Sequence, residues 1–221
     1  TEYDLIKEKF YAEKYRDQIE YKKKLFEKID QIICISSNTK KDLQEEYSID
    51  ASKISVVHLA VNKDKNVRER SLNIRPFILY VGSRQRYKNF INAIKAYARS
   101  NRLKLNFDFV CFGGGNFSKS EEELFRSLSL DRRRIHYFEG DQLDLNYFYQ
   151  KARIFIFPSL YEGFGIPLLE AMNMECPVMC SDTSCFPEIV NDAAILFDPT
   201  DIGSLEFKME KLIYDDQLLL N

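Results

Sequence analysis

Two acidic residues flank a glycine-rich bend in the most informative part of this 221-residue sequence. The stretch PSLYEGFGIPLLEAM (158–172) holds Glu162 before the bend and Glu170 after it, with Pro167 between them. Proline favours the first turn of a helix, so a helix is predicted to begin at Pro167, with Glu170 about one turn inside it. Taken singly, each acid is a plausible surface residue. The whole pattern is typical of a binding site.

The backbone amides just before this predicted helix are candidates for binding an anion. Unpaired N–H groups and the positive end of the helix dipole attract negative charge, and glycine lets an anion approach the backbone closely. A phosphate group is the expected ligand. Carboxylates beside it would accept hydrogen bonds from the hydroxyls of the two sugars that flank the diphosphate of a nucleotide sugar. The amides belong to Gly163, Phe164, Gly165 and Ile166.

A second loop, VGSRQRYKNF (81–90), carries complementary charge. Arg84 and Lys88 follow Gly82 and precede a predicted helix. Fixed cations stabilise the charge that develops on a departing diphosphate, with arginine suited to phosphate geometry and lysine acting as a point charge. We therefore assign both residues to diphosphate binding.

The elements that must position these loops form a regular pattern from residue 76 onwards. Near-continuous apolar strands such as PFILYV and RIFIF alternate with helical segments, which predicts a parallel sheet covered on both faces. With right-handed crossovers, this is a Rossmann-like, doubly wound α/β domain. Ligands bind such sheets beyond the carboxyl ends of the strands. This rule selects the loops after Val81, Phe112, Phe138 and Phe157.

The first 75 residues are organised differently. Residues 1–29 predict an amphipathic helix, and two short strands with a helix between them follow up to residue 60. Charged and amide residues dominate 61–75, which we interpret as a linker. The second domain is then expected to span 76–221. The chain lacks an initiator Met, and its helical pattern continues to Leu220, so we expect it to be part of a longer protein.

Composition excludes several classes of protein. The 32 basic and 34 acidic residues give a net charge of −2, which offers no overall attraction to nucleic acid. The five cysteines do not have the spacing of a zinc site, and we expect buried free thiols and no bound metal. No apolar run reaches the length of a membrane span. The expected location is the cytoplasm, with peripheral contact to the inner face of the membrane left open.

Six motifs occur in the order seen in one enzyme family. They are YVGSRQRYKNF, FGGG, YQKA, PSLYEGFGIPLLEAM, CPVMCSDTSCFPEIV and AAILFDP. Together they resemble the C-terminal, donor-binding half of retaining glycosyltransferases of family 4 (glycosyl transferases group 1), which have the GT-B fold. The resemblance covers residues 31–221. The pattern VGSRxxYKNF in the first motif is most similar to that of bacterial mannosyltransferase-like members that build surface polysaccharides.

The resemblance implies specific roles and partners. Arg84 and Lys88 would contact the diphosphate, and the backbone of Phe164, Gly165 and Ile166 would meet phosphates and sugar. Glu162 would bind the hydroxyls of the donor sugar, and Glu170 those of the ribose. A nucleotide diphosphate sugar such as GDP-mannose or a UDP-hexose would be the donor, and a glycan or lipid-linked acceptor would receive the hexose. The family generally uses no metal and no further cofactor.

The sequence departs from the family pattern in two places. Glu175 stands where the family usually has a glycine that ends a helix with positive φ, so the turn could differ or the site could be weakened. Most of the acceptor domain, including a histidine near the reacting centre, has no counterpart here. Three alternatives remain: a non-catalytic binding module, a GT-B-fold epimerase or phosphorylase, and a nicotinamide-dependent oxidoreductase. The sequence lacks the Gly-x-Gly-x-x-Gly turn that a nicotinamide-dependent oxidoreductase requires.

Overall fold

The computed structural model describes residues 1–215. The N-terminal part contains a small parallel sheet of two strands, β1 (Ile32–Cys34) and β2 (Ile54–Val56), in which Ile32 pairs with Ile54. Three helices accompany it: α1 (Ile6–Tyr11), α2 (Arg16–Phe26) and α3 (Ser37–Tyr47). The side chain of Ser36 accepts a hydrogen bond from the amide of Thr39, so serine provides the expected cap of α3.

The single amphipathic helix predicted for residues 1–29 is wrong. The chain forms α1 and α2 with a turn between them, and the two helices pack on different neighbours. Phe10 of α1 lies 5.6 Å, ring centre to ring centre, from Tyr87 of the following domain. Phe26 of α2 packs 5.0 Å from Tyr47 within the N-terminal part. The spacing of apolar residues predicts helical structure in this segment, but it does not show that the two helices pack on different parts of the protein.

Residues 77–215 form the predicted α/β domain. Its six strands are β3 (Phe77–Val81), β4 (Asp108–Phe112), β5 (Ile135–Phe138), β6 (Ile154–Phe157), β7 (Val178–Ser181) and β8 (Ile195–Phe197). All described pairings between them are parallel, in the spatial order β5-β4-β3-β6-β7-β8. This order is that of a doubly wound sheet. Strands are added on one side from β3 to β5 and on the other side from β6 to β8, so the strand order reverses between β3 and β6.

Helices cover both faces of this sheet. They are α4 (Phe90–Arg99), α5 (Asn101–Asn106), α6 (Lys119–Ser127), α7 (Gln142–Lys151), α8 (Ile166–Asn173), α9 (Phe186–Val190) and α10 (Ile202–Tyr214). The strands alternate between two cores: Val110 and Phe112 face α7 and α8, whereas Phe109 and Cys111 face α4 and α10. The short helix α5 was not predicted. The predicted continuation of the last helix to Leu220 lies outside the described residues.

Residues 57–75, which include the predicted linker, contain no helix or strand, and residues 66–70 among them lie against α7. Arg68 places its guanidinium 2.6 Å from Asp144 and 2.7 Å from Asp141, and Arg70 lies 2.7 Å from Asp144. Tyr147 donates a 2.6 Å hydrogen bond to the carbonyl of Arg70. The middle of the connection is therefore fixed to the domain by ion pairs and hydrogen bonds. Among residues 1–215, no helix is long and apolar enough to cross a membrane.

Candidate functional site

Two loops meet where the strand order of the large sheet reverses. They follow β3 and β6, and the amide of Leu160 donates a 2.7 Å hydrogen bond to the carbonyl of Tyr87 across them. Lys88, at the end of a 3-10 turn, brings Nζ to 2.6 Å from Oε1 of Glu162. Their side chains are only 18% and 12% exposed. The structure thus joins two of the predicted site residues in one ion pair.

Two uncharged aromatic rings, those of Phe157 and Tyr87, lie close to this pair. The ammonium of Lys88 lies 5.5 Å from the ring centre of Phe157, at the end of β6. Burial, together with the Glu162 carboxylate, raises the pKa of Tyr87 to about 12, so its phenol stays neutral at physiological pH. A partly desolvated lysine is a strong attractor for an anion, because water screens its charge less than on an open surface.

The helix that follows the glycine-rich bend begins one residue earlier than predicted, at Ile166. Gly165 is its N-cap and has a left-handed backbone with φ of 96°, which glycine adopts without strain. Pro167 occupies the first turn, as expected. Gly165 has no side chain to cap the helix, Pro167 has no N–H, and the amide of Leu168 donates a 3.0 Å hydrogen bond to the carbonyl of Gly165. The amide of Ile166 is therefore the group at the start of α8 that can meet an anion.

Glu170 lies within α8 and contacts the neighbouring helix α7. The hydroxyl of Tyr149 donates a 3.2 Å hydrogen bond to its Oε2. Burial raises the pKa of Glu170, while hydrogen bonds from Tyr149 and Gln142 act in the opposite direction. A half-buried carboxyl with acceptor capacity left over can bind a hydroxyl group. Its assignment to the ribose remains a prediction.

The side chain of Arg84 is bound by the loop after β4 and by α6. Its Nε lies 2.5 Å from Glu121, and its terminal nitrogens donate to the carbonyls of Gly113, Gly115 and Asn116 at 3.2, 2.8 and 3.0 Å. Only 4% of its side chain is exposed. These bonds engage most of the five N–H groups of the guanidinium. The predicted diphosphate contact of Arg84 remains a prediction, and the observed contacts give it a second role in shaping this loop.

Glycines allow the loops after β3 and β4 to touch. Gly82 has φ of 109°, and its amide donates a 2.9 Å hydrogen bond to the carbonyl of Phe112. A Cβ added to Gly114 would lie 2.6 Å from the carbonyl oxygen of Gly82 and 2.9 Å from a terminal nitrogen of Arg84. No side chain larger than hydrogen fits there.

The N-terminal segment covers one side of the glycine-rich loop, which sequence reasoning missed. A Cβ added to Gly163 would lie 1.8 Å from the carbonyl oxygen of Tyr3, so the two backbones are in direct contact. The hydroxyl of Tyr161 accepts a 3.2 Å hydrogen bond from the amide of Leu5 and donates a 2.7 Å bond to Asp42. Nothing in the local sequence pattern signals these contacts.

His58 borders the same loop. Its ring centre lies 5.8 Å from that of Phe164, and Nε2 lies 3.2 Å from Glu188 of α9. Glu188 also accepts a 2.8 Å hydrogen bond from the amide of Ser37 at the start of α3. The N-terminal part and the α/β domain therefore meet around the glycine-rich loop.

Glu175 forms the helix end that the family usually makes with glycine. Its φ is 59°, and the amides of Glu175 and Cys176 bond to the carbonyls of Met172 and Ala171 at 3.0 and 2.9 Å. This is a Schellman motif. The expectation that the turn could differ is wrong. The side chain of Glu175 points outward and pairs with Lys65 at 2.6 Å.

The cysteines are buried and free, as predicted, at positions 34, 111, 176, 180 and 185. Burial raises the pKa of Cys176 and Cys180 to about 12, so both remain thiols. Within residues 1–215, no group of three or more potential ligand side chains is placed to hold a metal ion.

A family model described as "Glycosyl transferases group 1" matches residues 62–221. The chain belongs to this family. The match begins in the segment docked on α7 and includes every loop described above. The predicted family and the predicted Rossmann-like parallel sheet of the C-terminal GT-B half are thereby confirmed.

Curated relatives from enteric bacteria have similar sequences. An O-antigen chain mannosyltransferase B of Escherichia coli is 28% identical over 220 residues, which cover 91% of this chain and 57% of the relative. The O-antigen chain mannosyltransferase RfbU of Salmonella typhimurium is 29% identical over 184 residues, covering 82% of this chain and 50% of the relative. The chain thus spans about half the length of these relatives.

Solved structures agree on the fold. The Anabaena protein HepE, crystallised with UDP and glucose, superposes with a TM-score of 0.81 at 16% identity, covering 99% of this chain and 62% of that one. A glycosyltransferase from Rickettsia africae gives a TM-score of 0.74 at 22% identity, covering 99% and 60%. At these identities the likeness establishes the architecture alone.

Proposed function

We propose that this chain is the donor-binding part of a retaining hexosyltransferase that takes its sugar from a nucleoside diphosphate sugar. The observation that carries the proposal is the Lys88–Glu162 ion pair, with its 2.6 Å contact, at the reversal of strand order. Open α/β sheets bind nucleotides at this reversal. The start of α8 at Ile166, with Gly165 as its N-cap, adds an anion-binding helix end.

The pair explains how a carboxylate and a diphosphate can share one site. Before binding, Lys88 compensates the charge of Glu162, which avoids an unpaired buried carboxylate. When a diphosphate sugar binds, the ammonium is shared with a phosphate oxygen, and Glu162 is left to accept hydrogen bonds from sugar hydroxyls. As the bond from sugar to phosphate breaks, the negative charge on the leaving group grows, and Lys88 and the helix dipole stabilise it.

The same arrangement favours transfer with retention of configuration. Stabilisation concentrated on the departing diphosphate suits front-face transfer, in which a leaving phosphate oxygen accepts the acceptor's proton. Glu162 is engaged with Lys88 and is assigned to hydroxyl binding rather than to base chemistry. In the complete protein, the anomer of the first product, followed by NMR, distinguishes retention from inversion.

For the substrates we propose mannose as the hexose and a glycan or lipid-linked acceptor in surface polysaccharide synthesis. The names of the two mannosyltransferase relatives support this choice. One argument for a non-catalytic binding module is removed, because Glu175 adopts the positive φ and forms the turn that the family usually makes with glycine.

Calorimetric titration tests the binding proposal. GDP, UDP, GDP-mannose and UDP-glucose are titrated in EDTA into the parent chain and into Lys88→Met. Losing one charged hydrogen bond of about 1.5–3 kcal/mol should weaken diphosphate binding roughly 10-fold to 150-fold. Lys41→Met, at a lysine whose side chain is 72% exposed, is the matched control and should bind as the parent does. Binding that requires Mg²⁺, or that is insensitive to Lys88→Met, contradicts the proposal.

A further inference from the structure

Three consecutive side chains hold the backbone of the glycine-rich loop at alternate residues. Thr183, Ser184 and Cys185 lie between β7 and α9, and each of them contacts a carbonyl oxygen of the loop after β6. The contacts are Thr183 Oγ1 to Leu160 at 3.0 Å, Ser184 Oγ to Glu162 at 2.7 Å, and Cys185 Sγ to Phe164 at 3.1 Å. The Cys185 thiol also lies 3.3 Å from the carbonyl oxygen of Glu162. Ser184 is the central member of this set.

Ser184 differs from its neighbours because it binds both backbone groups of one residue. Its hydroxyl donates to the carbonyl of Glu162 at 2.7 Å and accepts from the amide of Glu162 at 3.1 Å. The amide and the carbonyl of Glu162 belong to the two peptide units on either side of its Cα, so these two bonds fix the direction in which its Cα–Cβ bond leaves the backbone. The side chain of Glu162 leaves from that Cα and reaches Lys88.

The backbone of Ser184 is strained in the conformation that makes these bonds. Its φ is 57°, in the left-handed region that favours glycine. Glycine would remove the strain, but it would also remove both bonds to Glu162. Strain of this kind persists where the surrounding structure requires it, and it is concentrated at functional sites.

We propose that Ser184 is a positioning residue that aims the Glu162 carboxylate at the donor sugar. The ligand in this inference rests on the proposed function, whereas the contact between Ser184 and Glu162 does not. Because the hydroxyl acts on Glu162 and not on Lys88 or the start of α8, its loss should affect recognition of the sugar more than recognition of the diphosphate.

Two substitutions separate positioning from a purely structural role. Ser184→Ala removes the hydroxyl and keeps the strained φ, whereas Ser184→Gly removes the hydroxyl and relieves the strain. Ser184→Gly should therefore unfold at a higher temperature than Ser184→Ala. If the hydroxyl positions Glu162, both variants lose the same fraction of sugar recognition despite their different stabilities. If the role of Ser184 were purely structural, the loss of sugar recognition would be larger in the less stable variant, Ser184→Ala.

The sugar readout is the ratio of the Kd for GDP to that for GDP-mannose, with UDP and UDP-glucose as the second pair. Both variants should lower this ratio about fivefold relative to the parent, the equivalent of one ordinary hydrogen bond. Thr183→Val, which removes only the bond to Leu160, is the control and should keep the parent ratio. A ratio unchanged in both variants, or lowered only in Ser184→Ala, overturns the inference.

A second readout needs no ligand and separates this inference from the proposed function. Amide hydrogen exchange at Glu162, measured by NMR, should accelerate about fivefold in both variants, because its acceptor is removed. If that exchange is unchanged, Ser184 does not hold the loop and the inference is wrong. If the parent chain binds none of the nucleotide sugars, the proposed function fails, and the exchange rates still decide the role of Ser184.

Discussion

Lys88 and Glu162 lie 2.6 Å apart, Nζ to Oε1, although they come from loops that follow two different strands. The strands β3 and β6 are neighbours in the sheet, with Ile78 paired to Ile154, so their loops emerge side by side. An ion pair formed across such a junction depends on the register of the two strands. It brings a cation and a carboxylate together at the junction of the two loops, as the proposed donor site requires.

Replacing Arg84 should affect stability as well as nucleotide binding. Arg84→Ala leaves the Glu121 carboxylate, 16% exposed, without its cation, and removes the donors to Gly113 and Asn116. Although burial opposes it, the bonds from Arg84 and Ser118 hold the pKa of Glu121 below its ordinary value. We expect urea denaturation to show a loss of about 3 kcal/mol in the free energy of unfolding.

The control for Arg84 is an ion pair on the surface. Arg99 lies 2.7 Å from Glu206 and its side chain is 62% exposed, so Arg99→Ala should cost less than about 1 kcal/mol. Equal losses in the two variants would mean that Arg84 does not organise the loop after β4. Diphosphate binding measured on a still-folded Arg84→Ala then tests the predicted contact separately.

Glu175→Gly should stabilise the protein. The residue occupies a left-handed position in a Schellman turn, where glycine avoids the steric cost of a Cβ. For a chain of this size we expect the Tm to rise by about 2–4 °C by calorimetry. Glu175→Gln keeps the strained φ and removes only the exposed contact with Lys65, and its Tm should stay within about 1 °C of the parent. A similar rise in Tm in both variants would mean that the charge of Glu175, and not its backbone strain, lowers the stability of the parent.

Gly163→Ala should detach the N-terminal segment from the glycine-rich loop. The added methyl would overlap the carbonyl oxygen of Tyr3, which is backbone and cannot turn away. Such overpacking costs about 1–3 kcal/mol. Amide exchange should become faster in residues 1–11, including the amide of Leu5 that bonds to Tyr161. Gly203→Ala, which has more room, is the control; unchanged exchange in residues 1–11 of Gly163→Ala would refute the contact.

Glu170→Gln should stabilise the protein at neutral pH and not in acid. Burial raises the pKa of Glu170 above its ordinary value of 4.5, so the folded state disfavours the charged form. The stability contributed by the protonated carboxyl is complete below pH 4.5 and is lost as the pH rises through the folded pKa. The difference in Tm between variant and parent should therefore grow from pH 4 to pH 7. A difference that does not depend on pH would mean that the carboxyl is not desolvated.

The same variant tests the ribose assignment. If Glu170 accepts a hydrogen bond from ribose, Glu170→Gln should discriminate less between a ribonucleoside diphosphate and its 2′-deoxy form than the parent does. An equal preference in both proteins would remove the assignment while leaving the stability prediction intact.

The sequence by itself determined most elements of the α/β domain and the family. Near-continuous apolar segments such as RIFIF predicted strands such as β6, Pro167 predicted the start of α8 to within one residue, and the order of six motifs indicated the glycosyl transferases group 1. These signals are local, since hydrophobic alternation, helix caps and motif spacing are all read within short windows. They also selected the loops that hold Lys88 and Glu162.

Only the tertiary structure decided which side chains meet. It paired Lys88 with Glu162, turned Arg84 into the loop after β4, and placed Ser184 against the backbone of Glu162. It also laid Tyr3 over Gly163 and divided the N-terminal helix in two. Each of these contacts joins segments that are distant in the chain. Their geometry depends on strand register and helix packing, to which the local pattern of residues gives no access.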